Sequence, residues 1–468
     1  MRISSQPLLQ GIDRFLYSPA FFLLLGVMTV LSNVFGLEFF SYTCFVFVAC
    51  CICLFGRDLL PLMPMFVCGY ISPSMQNNPG FNDQSVFSLA GGGLYLIGIV
   101  AVFLCCLIYR LVTDPDFGGR KFLSHKRKLL SGMCVLGICY AISGLGSGQW
   151  EVCGWRNLLF AFFQFAAITG LYYLFAGAVK WDQAPKAYLS WTGICVGYIL
   201  IVQLANIYIT RDVLKEGTIL RDLIITGWGH YNNIGALFTL LIPLPFYLTG
   251  KGRMAWFGYL TAFLFWLALL LTCSRGSIVV GAVIYAAGYI LSLIHSRHAR
   301  RQIGVHIISI LIPVVAAVLF WDKLQLLFGR MSDIGFASFT QRSDGYKAGI
   351  QQFLKYPVFG GTFFPVDYDL YVWAASEQFT SLFPPRWHNT FIQLLATGGI
   401  ACLAAYGYHR FQTLKLFFKN YSSGKMFAGL SVAALLMTSM VDCHFFNVGP
   451  VLLYSSILAF VEFRLDKP

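Results

Sequence analysis

Long apolar runs alternate with short polar segments along the chain from residue 19 to residue 463. A hydrocarbon core of ~30 Å is crossed by about 20 helical residues, so each run predicts a membrane-spanning helix. The third run is the weakest, because it is short and contains two prolines, Pro61 and Pro64. The fourteen runs are 19–36, 39–55, 59–73, 92–112, 128–145, 157–179, 187–209, 230–249, 254–272, 276–295, 304–321, 388–408, 425–443 and 447–463. The pattern predicts an all-α integral membrane protein with about 12–14 transmembrane helices.

The composition supports a membrane protein and argues against other classes. Of the 468 residues, 57% are apolar and 11% are charged, whereas roughly a quarter of an average soluble domain is charged. A net charge of +13 would suggest a nucleic-acid partner in a soluble protein, but this apolar background indicates a membrane instead. The 14 cysteines lie mostly inside apolar runs without metal-ligand spacing. We therefore expect no metal, no cofactor and no nucleic acid.

The basic residues are distributed unequally between alternate loops, which predicts the orientation. With the N-terminus inside, one set of loops holds 22 of the 33 Lys and Arg residues. Because cytoplasmic loops carry the basic excess, this set is predicted to be cytoplasmic, together with both termini. The inner face then carries +15 and the outer face −2. The +13 is thus a topology signal, and an anion on the outer side has to be recognised by individually placed arginines.

We expect one transmembrane domain over 1–468 with one long outer loop at 322–387. Loops of such length in compact proteins are usually functional or disordered. Apolar residues at helical spacing predict a helix on the membrane surface near 341–355, followed by an irregular aromatic stretch. Asp367 and Asp369 resemble a weak metal-binding D-x-D pair, but a solvated turn is the favoured interpretation.

Three polar residues lie where an apolar protein least easily accommodates them. Arg275 lies between two long spans at the outer boundary, where a tight turn at Gly276 is expected, and it could instead be an interfacial anchor. Arg342 begins the surface helix, with an ion pair to Asp344 as the alternative. His388 lies where the outer loop re-enters the membrane, with a helix cap or a packed polar residue as the alternative.

Together these three residues fit one kind of chemistry. Arginine grips phosphate oxygens through a planar, permanently charged fork. Histidine accepts a hydroxyl proton near neutral pH. Two arginines and a histidine on one outer face therefore suit a diphosphate leaving group and an alcohol nucleophile. The sequence offers no carboxylate pair, Asp-rich metal motif or Gly-rich phosphate loop beside them, so a metal-dependent or nucleotide-sugar reaction is less favoured.

Other polar residues are weaker candidates for substrate binding. His230, Asn232 and Asn233 lie at the outer end of a span, although helix capping by asparagine explains them equally well. Arg211 and Arg221 lie in a charge-balanced outer loop. The last candidates are Arg386 and Asn389, on either side of His388, and a polar pair without an assigned role, Asp442 and His444.

A series of motifs follows in order along the second half of the chain: Gly227–Pro245, Thr272-Cys273-Ser274-Arg275-Gly276-Ser277, Arg342, Tyr356-Pro357-Val358-Phe359-Gly360-Gly361, and His388-Asn389 with Gly399. Their order and spacing resemble those of the O-antigen ligase and polymerase superfamily. The resemblance extends from about residue 225 to 410, and the N-terminal half matches only in hydropathy. At the position where ligases tend to have Gly, Thr or Tyr, three residues after Gly399, this chain has Cys402, which favours the polymerase over the ligase.

The resemblance implies a membrane glycosyltransferase of the C type in the bacterial inner (plasma) membrane, with its active site on the outer face. Such enzymes transfer a glycan from undecaprenyl diphosphate to a hydroxyl of lipid A core or of another lipid-linked glycan. By the same resemblance, His388 is the general base, and Arg275 and Arg342 hold the diphosphate. Asn389 orients the imidazole or contacts sugar.

Two other function classes remain open from the sequence. A flippase or transporter for the same lipid would need basic groups along a path through the bilayer, whereas the candidates cluster at one face. A non-catalytic membrane scaffold would use the 322–387 loop as a docking surface.

Overall fold

The computed structural model describes residues 7–73, 92–113, 129–181, 184–185, 187–215, 218–227, 229–295, 303–319, 321, 325, 335–364, 386–419 and 423–463. Helices dominate this part of the chain, and the only strands in it form two short antiparallel pairs, β1 (Leu214–Lys215) with β2 (Thr218–Ile219) and β3 (Ile225–Thr226) with β4 (Gly229–His230). The α-helices are α1 Pro7–Leu16, α2 Pro19–Phe35, α3 Glu38–Phe55, α4 Leu62–Ile71, α5 Gly92–Thr113, α6 Leu130–Ala141, α7 Trp150–Phe165, α8 Leu171–Ala178, α9 Tyr188–Thr210, α10 Tyr231–Leu241, α11 Ala255–Leu271, α12 Arg275–His295, α13 Ile303–Leu319, α14 Gly335–Lys355, α15 Thr390–Lys419, α16 Ser423–Thr438 and α17 Val448–Phe463. The predicted all-α membrane class is confirmed.

The helices differ in their ability to cross a bilayer. In the described residues, seven are long and apolar enough to do so, or eight if α1 and α2, which are bent by 66°, count as one span. Five further apolar helices have 10–17 residues. Each of the fourteen predicted runs overlaps a helix, but the third is only the ten-residue α4. At 1.5 Å per residue α4 is ~15 Å long, so this helix alone does not cross the hydrocarbon core.

The chain forms two compact units. Unit 1 comprises Met1–Ser124, Leu174–Leu327 and Ser422–Ala434. Within it, α2 packs on α9, α3 on α5, and α11 on α10 and α12. The α10 helix approaches α12 closely, because a Cβ atom on Gly235 would come within 2.8 Å of the Ser277 hydroxyl. This contact places the start of α10 beside the start of α12.

Unit 2 comprises His125–Tyr173, Phe328–Tyr421 and Leu435–Pro468. Within it, α6 packs on α7 and α15, and α14 also packs on α15. The segment predicted as a surface helix is helical and begins earlier, at Gly335. Its Gly345, Gly349 and Gln352 are buried, whereas Ile350 and Leu354 are exposed.

The α15 helix is broken at Gly399, which has φ +65° and ψ −162°. The sharpness of the bend is evident from two aromatic rings on opposite sides of it, Phe391 and Tyr406, whose centroids are 5.9 Å apart. In a straight helix these residues would be ~22 Å apart along the axis. The first part is therefore a short helix of about three turns, and residues 400–419 form a separate helix long enough to cross the membrane.

The Tyr356-Pro357-Val358-Phe359-Gly360-Gly361 motif fills this break. Backbone hydrogen bonds replace those the helix loses, consistent with the rule that buried amides and carbonyls need partners. The four bonds are Ile400 N to Pro357 O (2.9 Å), Ala401 N to Val358 O (3.2 Å), Gly361 N to Ala396 O (2.9 Å) and Thr362 N to Thr397 O (3.0 Å). Side chains are excluded at two positions, because a Cβ atom on Gly360 would lie 2.3 Å from Thr397 C, and one on Gly399 would lie 2.4 Å from Val358 O.

The continuation of α15 to Lys419 corrects the loop boundary drawn from the sequence. Arg410 was expected in an inner loop at 409–425, but it lies on the second part of α15 and is only 8% exposed. Its neighbour His409 is fully buried. Two ionisable side chains are therefore packed inside unit 2 about halfway along a helix of membrane-spanning length.

Candidate active site

Backbone strain occurs at three of the sequence motifs. Among the described residues, the non-glycine residues with left-handed φ are Cys273 (54°), Thr362 (83°) and His388 (52°). Such a conformation costs about 1–3 kcal/mol and persists only where the surroundings enforce it, most often at functional sites. Cys273 directly precedes Ser274-Arg275, Thr362 follows the Gly360–Gly361 pair, and His388 is the predicted base. Strain therefore coincides with the motifs selected for their chemistry.

In unit 2 the predicted residues converge on the loop between α16 and α17, residues 439–447, here called the site loop. Several hydrogen bonds attach it to α14 and to the start of α15. Four of them are Arg342 Nη1 to Val441 O (3.3 Å), His388 Nδ1 to Asp442 Oδ1 (3.3 Å), Asn389 Nδ2 to Met440 O (2.8 Å) and Thr390 N to Ser439 O (2.9 Å). The site loop thus brings together residues that are about 50–100 positions apart in the sequence.

His388 and Asp442 form an acid–base pair. Their side chains are 38% and 10% exposed, so the carboxylate is enclosed while the imidazole remains partly accessible. A carboxylate only accepts hydrogen bonds when ionised, so the proton of a neutral His388 lies on Nδ1. The other nitrogen, Nε2, then has its lone pair available for a substrate proton. His388 is fixed further because its carbonyl accepts a 3.2 Å hydrogen bond from Tyr346 Oη.

The electrostatics of the site loop keep Asp442 ionised and His444 neutral. Burial opposes ionisation of Asp442, but the hydrogen bonds from His388 and from the Cys443 N–H, and the attraction of the neighbouring histidines whenever they are protonated, hold its pKa well below the ordinary value. Burial lowers the pKa of His444 to about 4; Asp442 opposes this shift, whereas Arg386, His388 and Arg342 add to it.

The position of Arg342 distinguishes between its two interpretations. The alternative was an ion pair with Asp344, but Asp344 pairs with Lys347 at 3.3 Å instead. Arg342 donates to the site loop at Val441 O and remains half-buried. Its guanidinium therefore faces the same loop as His388, within electrostatic range of His444.

Asn389, rather than His388, caps the helix. Its Oδ1 accepts the backbone N–H groups of Phe391 (2.9 Å) and Ile392 (3.2 Å) at the start of α15. Its Nδ2 donates to Met440 O, so both ends of the amide have structural partners. Arg386 is half-buried and acts electrostatically on Cys443 and His444. Capping by Asn389 leaves the His388 imidazole for the pair with Asp442.

In unit 1, Arg275 is the first residue of α12 and is half-buried. The expected turn at Gly276 occurs earlier, at the left-handed Cys273, where Ser274 N also bonds to Thr272 Oγ1 at 3.3 Å. Asn232 Oδ1 accepts a 2.9 Å hydrogen bond from Ser274 Oγ. The structure therefore joins Asn232 to the turn that presents Arg275, which the capping interpretation did not predict.

The other unit 1 candidates surround the β3–β4 hairpin and the start of α10. His230 occupies the position before α10, and its ring lies 3.7 Å from that of Tyr231. The guanidinium of Arg221 also lies over the Tyr231 ring, with its Cζ atom 5.0 Å from the ring centroid. Arg211 Nη1 donates to Leu223 O at 2.9 Å, which gives it a role in holding the loop. Asn233 is half-buried in the first turn of α10.

The structure pairs Asp442 with His388, a role that the sequence alone did not assign to it. A usable signal existed, because Asp442 lay inside the predicted span 425–443, where an acid is costly and therefore functional by default. The structure ends α16 at Thr438 and places Asp442 in the site loop.

Cys402 is fully buried, with its Sγ 2.1 Å from where a Gly398 Cβ would lie, so its position reflects helix packing. The predicted D-x-D pair, Asp367 and Asp369, lies outside the described residues.

Comparison with protein families gives a match over the middle of the chain. Residues 260–407 match the family model described as O-antigen ligase, about a third of the chain. No curated protein matches the chain. The matched segment contains Arg275, Arg342 and His388 but ends before Asp442. The match supports a membrane-bound glycan ligase or polymerase in general terms. Over residues 260–407 it confirms the resemblance to the O-antigen ligase and polymerase superfamily that the motifs predict.

Proposed function

We propose that the protein is a metal-independent membrane glycosyltransferase that moves a glycan from undecaprenyl diphosphate to a hydroxyl acceptor on the outer face of the bacterial inner membrane. The observation that carries the proposal is the His388–Asp442 pair, a partly accessible imidazole held on a strained backbone by an enclosed carboxylate. Two chemical requirements, a base for the acceptor and a cation for the leaving group, are then met by identified side chains.

In the proposed reaction, His388 Nε2 accepts the proton of the acceptor hydroxyl as the oxygen attacks the anomeric carbon of the donor sugar. The bond from that carbon to the diphosphate oxygen breaks, and the lipid diphosphate leaves with the electron pair. Asp442 is a positioning residue, since it keeps the His388 proton on Nδ1 and stabilises the imidazolium that forms.

Arg342 and Arg275 are proposed to bind the diphosphate. A guanidinium offers paired donors to phosphate oxygens and stays charged while negative charge accumulates on the leaving group. Arg386 is proposed to contribute to the positive potential at the site loop, and Asn232 to orient the turn before Arg275. Sugar or phosphate contacts by His230, Asn233, Arg211 and Arg221, and by Asn389 beyond its capping role, remain predictions.

The proposal is tested by reconstitution. Purified protein in lipid nanodiscs is supplied with undecaprenyl-diphosphate glycan and an acceptor, and both released lipid diphosphate and extended product are measured. We expect His388→Ala to lower turnover by about 10²–10⁴-fold, the usual contribution of a general base. Lys347→Ala, which alters an exposed ion pair of the same unit, serves as the control and should retain full turnover.

The outcome also separates the competing classes. A ladder of repeat units identifies the polymerase, whereas a single transfer to a lipid A core identifies the ligase. Equal turnover by His388→Ala and the parent would contradict the proposed base. Movement of the lipid across the bilayer without product would indicate a flippase, and neither activity would indicate a scaffold.

A further inference from the structure

A second polar cluster of unit 2 is separate from the site loop residues that act on substrate. It is centred on Arg410, which lies eleven residues after the break at Gly399, ~17 Å along a helix of membrane-spanning length. Arg410 is 8% exposed, and its neighbours Tyr406 and Tyr454 are 1% and 0% exposed. An ionisable side chain at such depth is expensive and by default suggests a function.

The Arg410 guanidinium is surrounded by aromatic rings. Its Cζ atom lies 4.7 Å from the centroids of Tyr406 and Phe445 and 5.0 Å from that of Tyr454. These π faces stabilise a cation by about 0.5–2 kcal/mol each, which is small compared with the several kcal/mol needed to desolvate a charge. Aromatic contacts alone therefore leave much of the charge uncompensated.

The hydrogen bonding of the Arg410 guanidinium is also incomplete along one of its edges. Arg410 Nη1 donates to Tyr454 Oη at 2.9 Å, and the same hydroxyl lies 2.8 Å from His409 Nε2. Among the described residues, the enclosed Nε and Nη2 atoms have no hydrogen-bond partner by geometry, although the Tyr406 hydroxyl is close enough to act on the guanidinium. Nε–H and Nη2–H lie side by side on one edge of the planar group, the pair of donors that arginine uses to grip an anion.

No acid of the described residues pairs with this charge. Their ion pairs do not include Arg410. The buried acid of α17, Glu462, is instead hydrogen-bonded by Tyr172. Asp442 pairs with His388. The hydroxyl of Tyr140, within electrostatic range of Arg410, is also enclosed with no partner in the described part of the chain and can supply a further donor.

We propose that the Nε–Nη2 edge of Arg410 binds a small monovalent anion, chloride in the cell, inside unit 2. The cluster supplies one full positive charge and several donors, so an acceptor with a negative charge satisfies both deficits at once. A small ion is required because the donor atoms are enclosed. The anion accepts hydrogen bonds from Arg410, and Arg410 contacts the ring of Phe445. In this way the anion stabilises the turn His444–Phe446 of the site loop. The proposal does not depend on the transferase assignment.

The test is the melting temperature of the purified full-length protein as chloride replaces gluconate at constant ionic strength and pH. We expect a saturable rise with chloride and an equal rise with bromide, but none with the larger sulfate. Arg410→Met should remove the halide dependence. Arg110→Met is the matched control, since Arg110 donates to Gly56 O (3.0 Å) and Arg57 O (2.9 Å) and should leave the halide dependence intact.

A second measurement covers the case in which Arg410→Met fails to fold. Arg410→Lys keeps the charge but lacks the paired donors, so saturation should require at least about tenfold more chloride. In crystals of the parent soaked in bromide, an anomalous peak beside Nε and Nη2 is expected. A parent protein whose melting temperature is the same in chloride and gluconate, or a bromide-soaked crystal without that peak, would overturn the proposal and indicate water at this edge.

Discussion

The two groups of candidate residues are constructed differently. In unit 2, His388 is paired with a carboxylate, its carbonyl accepts a hydrogen bond from Tyr346, and several hydrogen bonds fix the site loop beside it. In unit 1, the turn that precedes Arg275 is held by neutral groups, because Ser274 Oγ lies within 2.9 Å of Asn232 Oδ1 and 3.0 Å of Ser277 Oγ. The first group includes an acid–base pair, whereas the second presents an arginine at a turn.

This difference suggests a division of labour. A general base needs a partner that orients its proton, as Asp442 does for His388. A guanidinium binds phosphate through its own paired donors. We therefore infer that the His388–Asp442 pair handles the proton, and that Arg275, like Arg342 of unit 2, recognises charge. The following experiments test that contrast.

The largest effect is expected at Asp442. Asp442→Asn preserves shape but removes the charge that orients the imidazole, so kcat should fall by about 10²–10⁴-fold, with a smaller change in KM. The measurement is the pH profile of kcat, which should change in shape. Asp344→Asn, on the same unit with an exposed ion pair to Lys347, is the control. An unchanged pH profile in Asp442→Asn would break the contrast between the two groups.

The next effect concerns the helix break that supports the unit 2 group. Gly399→Ala places a side chain at φ +65° and ψ −162°, a region that is essentially restricted to glycine and costs about 1–3 kcal/mol, and adds a 2.4 Å contact with Val358 O. We expect a clearly lower melting temperature and loss of activity. Gly407→Ala, in the second part of the same helix with no atom within 4 Å of the added carbon, should be neutral or slightly stabilising. Equal stability of both variants would contradict the proposed role of the break.

A smaller effect is expected from changing the arginine fork while keeping its charge. Arg275→Lys and Arg342→Lys should each lower kcat/KM by about tenfold, because the paired donors are lost. The pH profile of kcat should stay the same in both, unlike that of Asp442→Asn. Arg156→Lys, on α7, is the control and should retain the parent kcat/KM. Full activity in both variants would remove the diphosphate role from these residues.

The smallest effect is on stability against pH. The pKa of folded His444 is about 4, below the ordinary value of 6.5, so the unfolded chain binds the proton more strongly. His444 therefore contributes stability that is complete above about pH 6.5 and lost as the pH falls toward 4. The melting temperature should drop by a few degrees across this window. His444→Gln should flatten the drop; an identical drop in the variant would assign it to other groups.

The sequence predicted the unit 2 residues individually but not their connections. Arg342 and His388 were selected because charged and neutral-range groups are rare in such a chain, and both contact the site loop. Asp442 received no role, since the link between residues 388 and 442 depends on how α15 and α16 end. The hydropathy pattern extended one span through residue 408 and another through 443, and neither boundary is where the helix terminates.

Periodic apolar runs determined the class of protein and the approximate place of every predicted helix, because burial in lipid requires long, internally hydrogen-bonded apolar segments. Rare polar residues determined the candidate site. Tertiary structure decided what those patterns leave open: that the 356–362 segment fills a broken helix, that Asn389 rather than His388 is the cap, and that Asp442 holds the imidazole. These features depend on hydrogen bonds between distant segments, and apolar periodicity carries no information about which distant polar groups become partners.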